Sequence, residues 1–246
     1  MYRRSWETGG IKANENYAKQ VAEIKDYFAK ALAYSKGKNN VTDLNMAAMR
    51  GLFDGSKRLF VSSDFVKELN DVIAFKKELK LEYVAIVGGY DSWMVAPRLK
   101  ENNIAVVLRR LHNLPMRPED DVDLPYKLPK LLQDAGVLFC LNNSGDMERM
   151  GLRNLPFYAG TARAYGLTEE EAIASITSST AKILGIDTQL GTIEVGKDAT
   201  FFISDGDALD MRTNSLFVAY ISGRSISLDN RQERLYQKYK TKYGVK

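Results

Sequence analysis

Between Glu15 and Tyr34 the apolar residues Tyr17, Val21, Ile24, Phe28, Ala31 and Leu32 recur at spacings of three and four, which predicts one buried face of a helix. Lys36-Gly37-Lys38-Asn39-Asn40 ends it, and a second helix is expected from Thr42 to Phe53, stopping at Asp54-Gly55. The period then changes. Leu59-Phe60-Val61 reads as a short strand, and Asp64 is placed to cap a helix reaching Leu79. Tyr83 to Val87 is a near-continuous apolar run, as expected of a parallel strand covered on both faces, and Gly88-Gly89 breaks it. A helix over Ser92 to Glu101, a strand over Ile104 to Leu108, a helix over Leu128 to Asp134, a strand over Val137 to Leu141 and a helix over Leu155 to Tyr165 follow. Four strands, each followed by a helix, predict parallel βαβ units, in a doubly wound sheet or in part of a (β/α)₈ barrel.

From Leu167 the texture differs. Thr168-Glu169-Glu170-Glu171 forms a capping box for a helix carrying Ala172, Ile173 and Ile176. Ser178 to Leu184 is a further helix, with Gly185 suited to a left-handed C-terminal cap. Short β segments are expected next. Ile193-Glu194-Val195 turns through Gly196-Lys197-Asp198 into Thr200 to Ile203, and Phe217 to Ser222 and Ser225 to Leu228 flank a hairpin at Gly223-Arg224. A polar helix, about Arg231 to Tyr243, closes the chain. The expected division is a helical segment over 1–58, a partial (β/α) barrel over 59–186, a small β domain over 187–230 and a helical tail over 231–246.

Composition narrows the function classes. With 45% hydrophobic and 27% charged residues in 246, the chain is an ordinary globular protein with length enough for a real core. A net charge of +4 without a clustered basic face gives no reason to expect nucleic acid. No apolar stretch has the length of a membrane span, and no apolar signal core follows Met1-Tyr2-Arg3-Arg4. A soluble protein is expected, in cytoplasm or periplasm. The lone Cys140 excludes an internal disulfide framework and reads as an inert buried thiol. A single histidine, His112, argues against a self-contained zinc hydrolase, since such sites use two or three histidines.

The segment Ile176-Thr177-Ser178-Ser179-Thr180-Ala181-Lys182-Ile183-Leu184-Gly185-Ile186, followed by Leu190-Gly191-Thr192-Ile193-Glu194-Val195-Gly196-Lys197-Asp198-Ala199, resembles the C-terminal signature of the amidohydrolase superfamily, most of all its imidazolonepropionase-like and prolidase-like members. Thr200 departs from that pattern, which has aspartate there. Val87-Gly88-Gly89, Leu99 to Ile104, Pro115-Met116-Arg117 and Leu155 to Gly160 extend the resemblance upstream to about Leu59. It implies an α/β chain forming the C-terminal half of a (β/α)₈ TIM-like barrel, about four parallel strands with their helices, followed by a small β domain. The four strands would be the fifth to eighth of the barrel. The reaction implied is metal-dependent hydrolysis of a C–N bond in a cyclic amide or peptide, with a divalent metal such as zinc. The family's His-x-His pair and bridging lysine lie on earlier strands. Where it places histidines on the fifth and sixth strands, this chain has Ser62-Ser63 and Gly88-Gly89-Tyr90-Asp91. An incomplete active site with no metal ligand of its own is therefore expected.

Residues at the strand C-termini are the candidates, because a barrel gathers its chemistry there. Ser62, Tyr90, Asp91, Arg109 and Asn143 are candidate substrate-binding groups, and His112 and Asp146 candidate catalytic ones. Each also has a plainer reading. Serine and asparagine satisfy loop backbone, Asp64 or Asp91 caps a helix, Arg109 and Arg110 are solvated rim charges or hold a substrate carboxylate, and Glu119 to Asp123 is a solvated acidic loop or a calcium site. The stripe Leu235, Tyr236, Tyr239, Tyr243 reads as a docked terminal helix. Four strands cannot close a barrel and leave two edges open. The chain is thus expected to associate with a copy of itself or with a chain supplying the first four strands, around a small-molecule substrate.

Overall fold

A computed structural model describes residues 2–4, 11–37, 42–143 and 148–244. Two antiparallel paired strands, β1 (Tyr2–Arg4) and β2 (Ile11–Ala13), stand where no strands are predicted, and α1 (Tyr17–Lys36), α2 (Leu44–Ala48) and α3 (Arg50–Phe53) follow. The parallel unit follows as β3 (Leu59–Ser63), α4 (Val66–Leu79), β4 (Val84–Gly88), α5 (Ala96–Glu101), β5 (Ile104–Leu108), α6 (Leu124–Asp134) and β6 (Phe139–Leu141). Helices α7 (Glu148–Gly151), α8 (Leu155–Ala164), α9 (Glu169–Ile176) and α10 (Ser178–Leu184) lead to β7 (Phe201–Ser204), β8 (Leu216–Ile221), β9 (Arg224–Ser225) and α11 (Arg231–Tyr243).

Strands β3 to β6 form one parallel sheet in sequence order, with Leu59 opposite Val84, Val84 opposite Ile104 and Val107 opposite Cys140. Its two faces have different fates. Ile86, Val106, Leu108 and Leu141 turn toward the helices and are buried with Leu69 and Ile73 of α4, Leu99 of α5, Leu132 of α6 and Ala159 and Ala162 of α8. This is the main core. The opposite face carries smaller residues. Ala85 and Cys140 meet Ile183 of α10, with Ala105 and Val107 packed beside them, while Phe60 and Ser62 remain exposed. A space of about 410 Å³, bordered by Arg58, Tyr83, Ala85, Ala105 and Lys182, opens between this face and α10 at the N-terminal ends of the strands.

The sequence fold class holds: a half-barrel of four parallel strands with helices, followed by a separate small antiparallel sheet of order β7-β8-β9. Four local expectations change, the first being the helix over Thr42 to Phe53, which is two short helices, α2 and α3. Helix α6 starts at Leu124 rather than Leu128, because Pro125, lacking an N–H, fits the first turn. The Ile193–Val195 strand does not form. Those residues pair with no strand, stand 86% and 108% exposed at their apolar positions, and lead into a turn in which Lys197 N donates to Glu194 O. The hairpin turn is Ser222-Gly223, with φ of 48° and 77°, and Arg224 lies in β9. Left-handed backbone at both positions is what a two-residue turn between twisted strands requires.

Candidate functional site

The C-terminal ends of β3, β4 and β5 are built by two glycines and two carboxylates. Gly88 and Gly89 close β4 with φ of 114° and 69°. A side chain at either would collide, since a Cβ on Gly88 would stand 2.6 Å from Asp64 Oδ1 and one on Gly89 2.6 Å from Val106 Cγ1. Only glycine permits this bend, and it delivers Tyr90 and Asp91 beside Asp64.

Neither aspartate caps its own helix. Asp64 receives Arg109 through Nε at 3.1 Å and through an Nη, and its Oδ1 also accepts from Tyr90 N. The start of α4 is satisfied otherwise: Glu68, in its own first turn, accepts from Asp64 N at 3.1 Å, and Asp91 accepts from Val66 N at 3.2 Å. Asp91, only 1% exposed, is gripped by both Nη atoms of Arg117 at 2.9 and 2.6 Å. A buried carboxylate is tolerated because a fork of charge-assisted hydrogen bonds replaces its water. The same hydrogen bonds push the Arg117 guanidinium pKa above its ordinary value, against its partial burial.

Arg117 also lies against the rings of Phe65 and Tyr90, 5.2 and 5.8 Å from their centroids. Asp120 joins the network rather than standing in solvent. It accepts from Tyr90 Oη at 2.7 Å and from Arg117 N at 3.1 Å, while Tyr90 Oη accepts from Met116 N at 3.0 Å. Burial, then the hydrogen bond to Asp120, pushes the Tyr90 phenol up to about 12. Tyr90 is therefore neutral and a fixed donor at neutral pH.

A second group forms around Tyr158. Its Oη donates to Asn143 Oδ1 at 2.8 Å, and its ring meets the His112 imidazole edge-on at 4.6 Å. His112 Nε2 lies 2.7 Å from Thr161 Oγ1, whose own proton goes to Phe157 O. Thr161 therefore accepts, Nε2 carries the hydrogen, and Nδ1 is left as an acceptor in the neutral ring. Burial and then Arg110 hold the His112 pKa below its ordinary value. An open space of about 390 Å³ runs past His112, Thr161, Arg163 and Met211.

The structure thus gathers Tyr90, Asp91 and Arg109 in one network and His112 and Asn143 in another. Ser62 is in neither; it faces outward on the opposite side of the sheet. Asp146 lies outside the described residues. Sequence reasoning missed Arg117, Asp120 and Tyr158 as members, and took Asp64 only for a cap. One signal was present: an aspartate follows each of β3 and β4 within a few residues of the strand end, and an arginine follows β5 directly. Cys140 is buried, and burial pushes its thiol up to about 11, which makes it a poor nucleophile.

A family model described as the amidohydrolase family matches residues 127–228. An amidohydrolase from Thermotoga maritima superposes with a TM-score of 0.73 at 26% identity, over 84% of this chain and 55% of its own. A prolidase complexed with N-methylphosphonate-L-proline superposes with a TM-score of 0.54 at 20% identity, over 74% of this chain and 48% of its own, and supports the fold alone. Among curated proteins, a 5'-deoxyadenosine deaminase of Methanobrevibacter smithii is 24% identical over 205 residues, 78% of this chain and 46% of that protein. Residues 127–228 thus carry the amidohydrolase family pattern, and the fold of the chain is that of the amidohydrolase superfamily. The chain spans about half the length of these relatives.

The divalent metal that this superfamily implies does not fit the strand ends. Among the described residues the carboxylates at the ends of β3 and β4 are Asp64 and Asp91, and each already faces an arginine. A cation would have to displace a guanidinium and then sit beside it, a like-charge arrangement. Among the described residues, no three His, Cys, Asp or Glu side chains group closely enough to hold an ion.

Proposed function

We propose that this chain is the C-terminal half of an amidohydrolase-type protein, of the class that hydrolyses C–N bonds in cyclic amides or peptides, with an active site left incomplete in this chain. The observation that carries this reading is the pairing of Asp64 with Arg109 and of Asp91 with Arg117 at the strand ends. A carboxylate held in such a fork is not available as a proton shuttle or metal ligand. In this reading Tyr90, Arg109 and Asn143 are substrate-binding groups, while Ser62, on the opposite face of the sheet, lies apart from them. Asp91 serves the site by fixing Arg117, and His112, through its free Nδ1, accepts a proton. Asp146 is a second candidate for that role.

Metal analysis, together with hydrolysis of amide and dipeptide panels, tests the proposal. Stoichiometric zinc and turnover by this chain alone would overturn the incomplete site. A non-catalytic binding relative is the second reading, favoured by the same ion pairs, which leave a polar and rigid rim. It predicts that joining this chain to one supplying four preceding strands restores no hydrolysis. Either reading calls for a partner, because β3 and β6 have no strand on their outer sides among the described residues. Light scattering that shows only monomer at high concentration would count against association with a copy of itself.

A further inference from the structure

At the end of β5 two arginines stand in sequence, and they border the same small cavity, about 20 Å³, between the strand end and the loop at 113–116. Its other walls include Tyr90, Leu111, Met116 and Leu128, and among the described residues no carboxylate lines it. Arg109 commits Nε and one Nη to Asp64, and its side chain is 46% exposed, so the guanidinium is not sealed in the interior. Arg110 is in a different state. Its Nε is buried and has no hydrogen-bond partner among the described residues. Buried donors are almost always paired; Ser63 Oγ and Ser92 Oγ are the other unpaired buried side-chain groups among the described residues, and of the three only Arg110 carries charge and borders this cavity. The space is about that of one or two water molecules, which suits a small head group whose remainder stays at the mouth.

We propose that Arg109 and Arg110 form a binding site for the carboxylate of a small organic acid at the C-terminal end of β5. One carboxylate oxygen accepts from Arg110 Nε and the other from the Nη of Arg109 that Asp64 does not take. Met116 and Leu128 cover the apolar part of the ligand. A planar two-oxygen acceptor matches guanidinium donors better than a spherical anion does. The site shares Arg109 with the substrate-binding groups proposed above and to that extent rests on that reading, but it needs neither metal nor turnover, so failure of binding and failure of hydrolysis are distinguishable.

The test uses the full chain with sodium acetate and succinate as probes, against acetamide, succinamide and sodium chloride at matched ionic strength. Both carboxylates are expected to raise the melting temperature along a saturation curve, while amides and chloride leave it flat. Arg110→Gln is expected to weaken apparent succinate affinity about tenfold. Arg110→Lys, which keeps the charge but loses Nε, is expected to fall in between. The ¹⁵N–¹H resonance of Arg110 Nε in the unmodified chain is expected to move downfield as succinate saturates. Equal stabilisation by the amides or chloride overturns the proposal. So does an undiminished response in both variants, and so does an unmoved Arg110 resonance at saturating succinate should the variants fail to fold.

Discussion

The two sheets of this molecule are built from similar apolar residues and end up in opposite situations. In the parallel sheet β3–β6, Ile86, Val106 and Leu108 are completely buried, because four helices from the same stretch of chain return to cover them. In the antiparallel sheet β7–β9, Phe202, Phe217, Ile221 and Ile226 share the face of Ala219 and stay exposed, Phe217 by 54%. The difference is connectivity. A βαβ crossover supplies its own cover, whereas a meander brings no helix back. Helix α11, which the tyrosine stripe led one to expect docked, has no buried residue and leaves Tyr236 and Tyr243 in solvent. The parallel half is thus self-sufficient on its outer face, and the small sheet carries apolar surface that nothing described in this chain covers.

That contrast can be broken at the strand ends. Replacing Asp91 with alanine leaves Arg117 without its fork and Val66 N without an acceptor, and is expected to cost about 3–5 kcal/mol in urea unfolding. A loss below about 1 kcal/mol would mean that the ion pair does not hold the units together. The contrast is sharpened by a matched pair of truncations. Ile86→Ala is expected to cost about 2–5 kcal/mol, while Phe217→Ser on the small sheet should change stability by less than about 1 kcal/mol. Equal costs would show that the small sheet is covered in solution, by a partner or by a copy.

A smaller effect belongs to His112. Its folded pKa lies below the unfolded value of about 6.5, so the unfolded chain binds the extra proton. The contribution of His112 is fully present above that value and is lost as pH falls through it, toward the lower folded pKa. Denaturation curves from pH 8 to 5 should show this slope, and His112→Gln should remove it; a slope unchanged in the variant would refute the assignment. Smallest of all is Val195→Lys, expected within about 0.5 kcal/mol of the parent because the side chain touches no core. Strong destabilisation there would reveal a strand partner for this segment.

How far the sequence carried differs by element. The alternation of four strands and helices was legible, as were the Thr168–Glu171 capping box, observed with Thr168 Oγ1 accepting from Glu171 N at 3.2 Å, and the left-handed Gly185 cap. Each rests on hydrogen bonds or periodicity within a few residues. Of the site, Tyr90, Asp91 and Arg109 were picked out by their position at strand ends, but not what they do. Asp64 and Arg109 are 45 residues apart, and Asp91 and Arg117 are 26 apart. No local pattern says that these charges meet. Ile193-Glu194-Val195 has the composition of a strand and is none, because a strand needs a neighbour to complete its hydrogen bonds and none reaches it. Sequence alone determined what the chain satisfies within itself locally, its helices, caps and buried strand runs. The tertiary structure decided which distant carboxylate takes which arginine, and which strand-like segments find a partner, since both depend on chain ends of separate βα units being brought side by side.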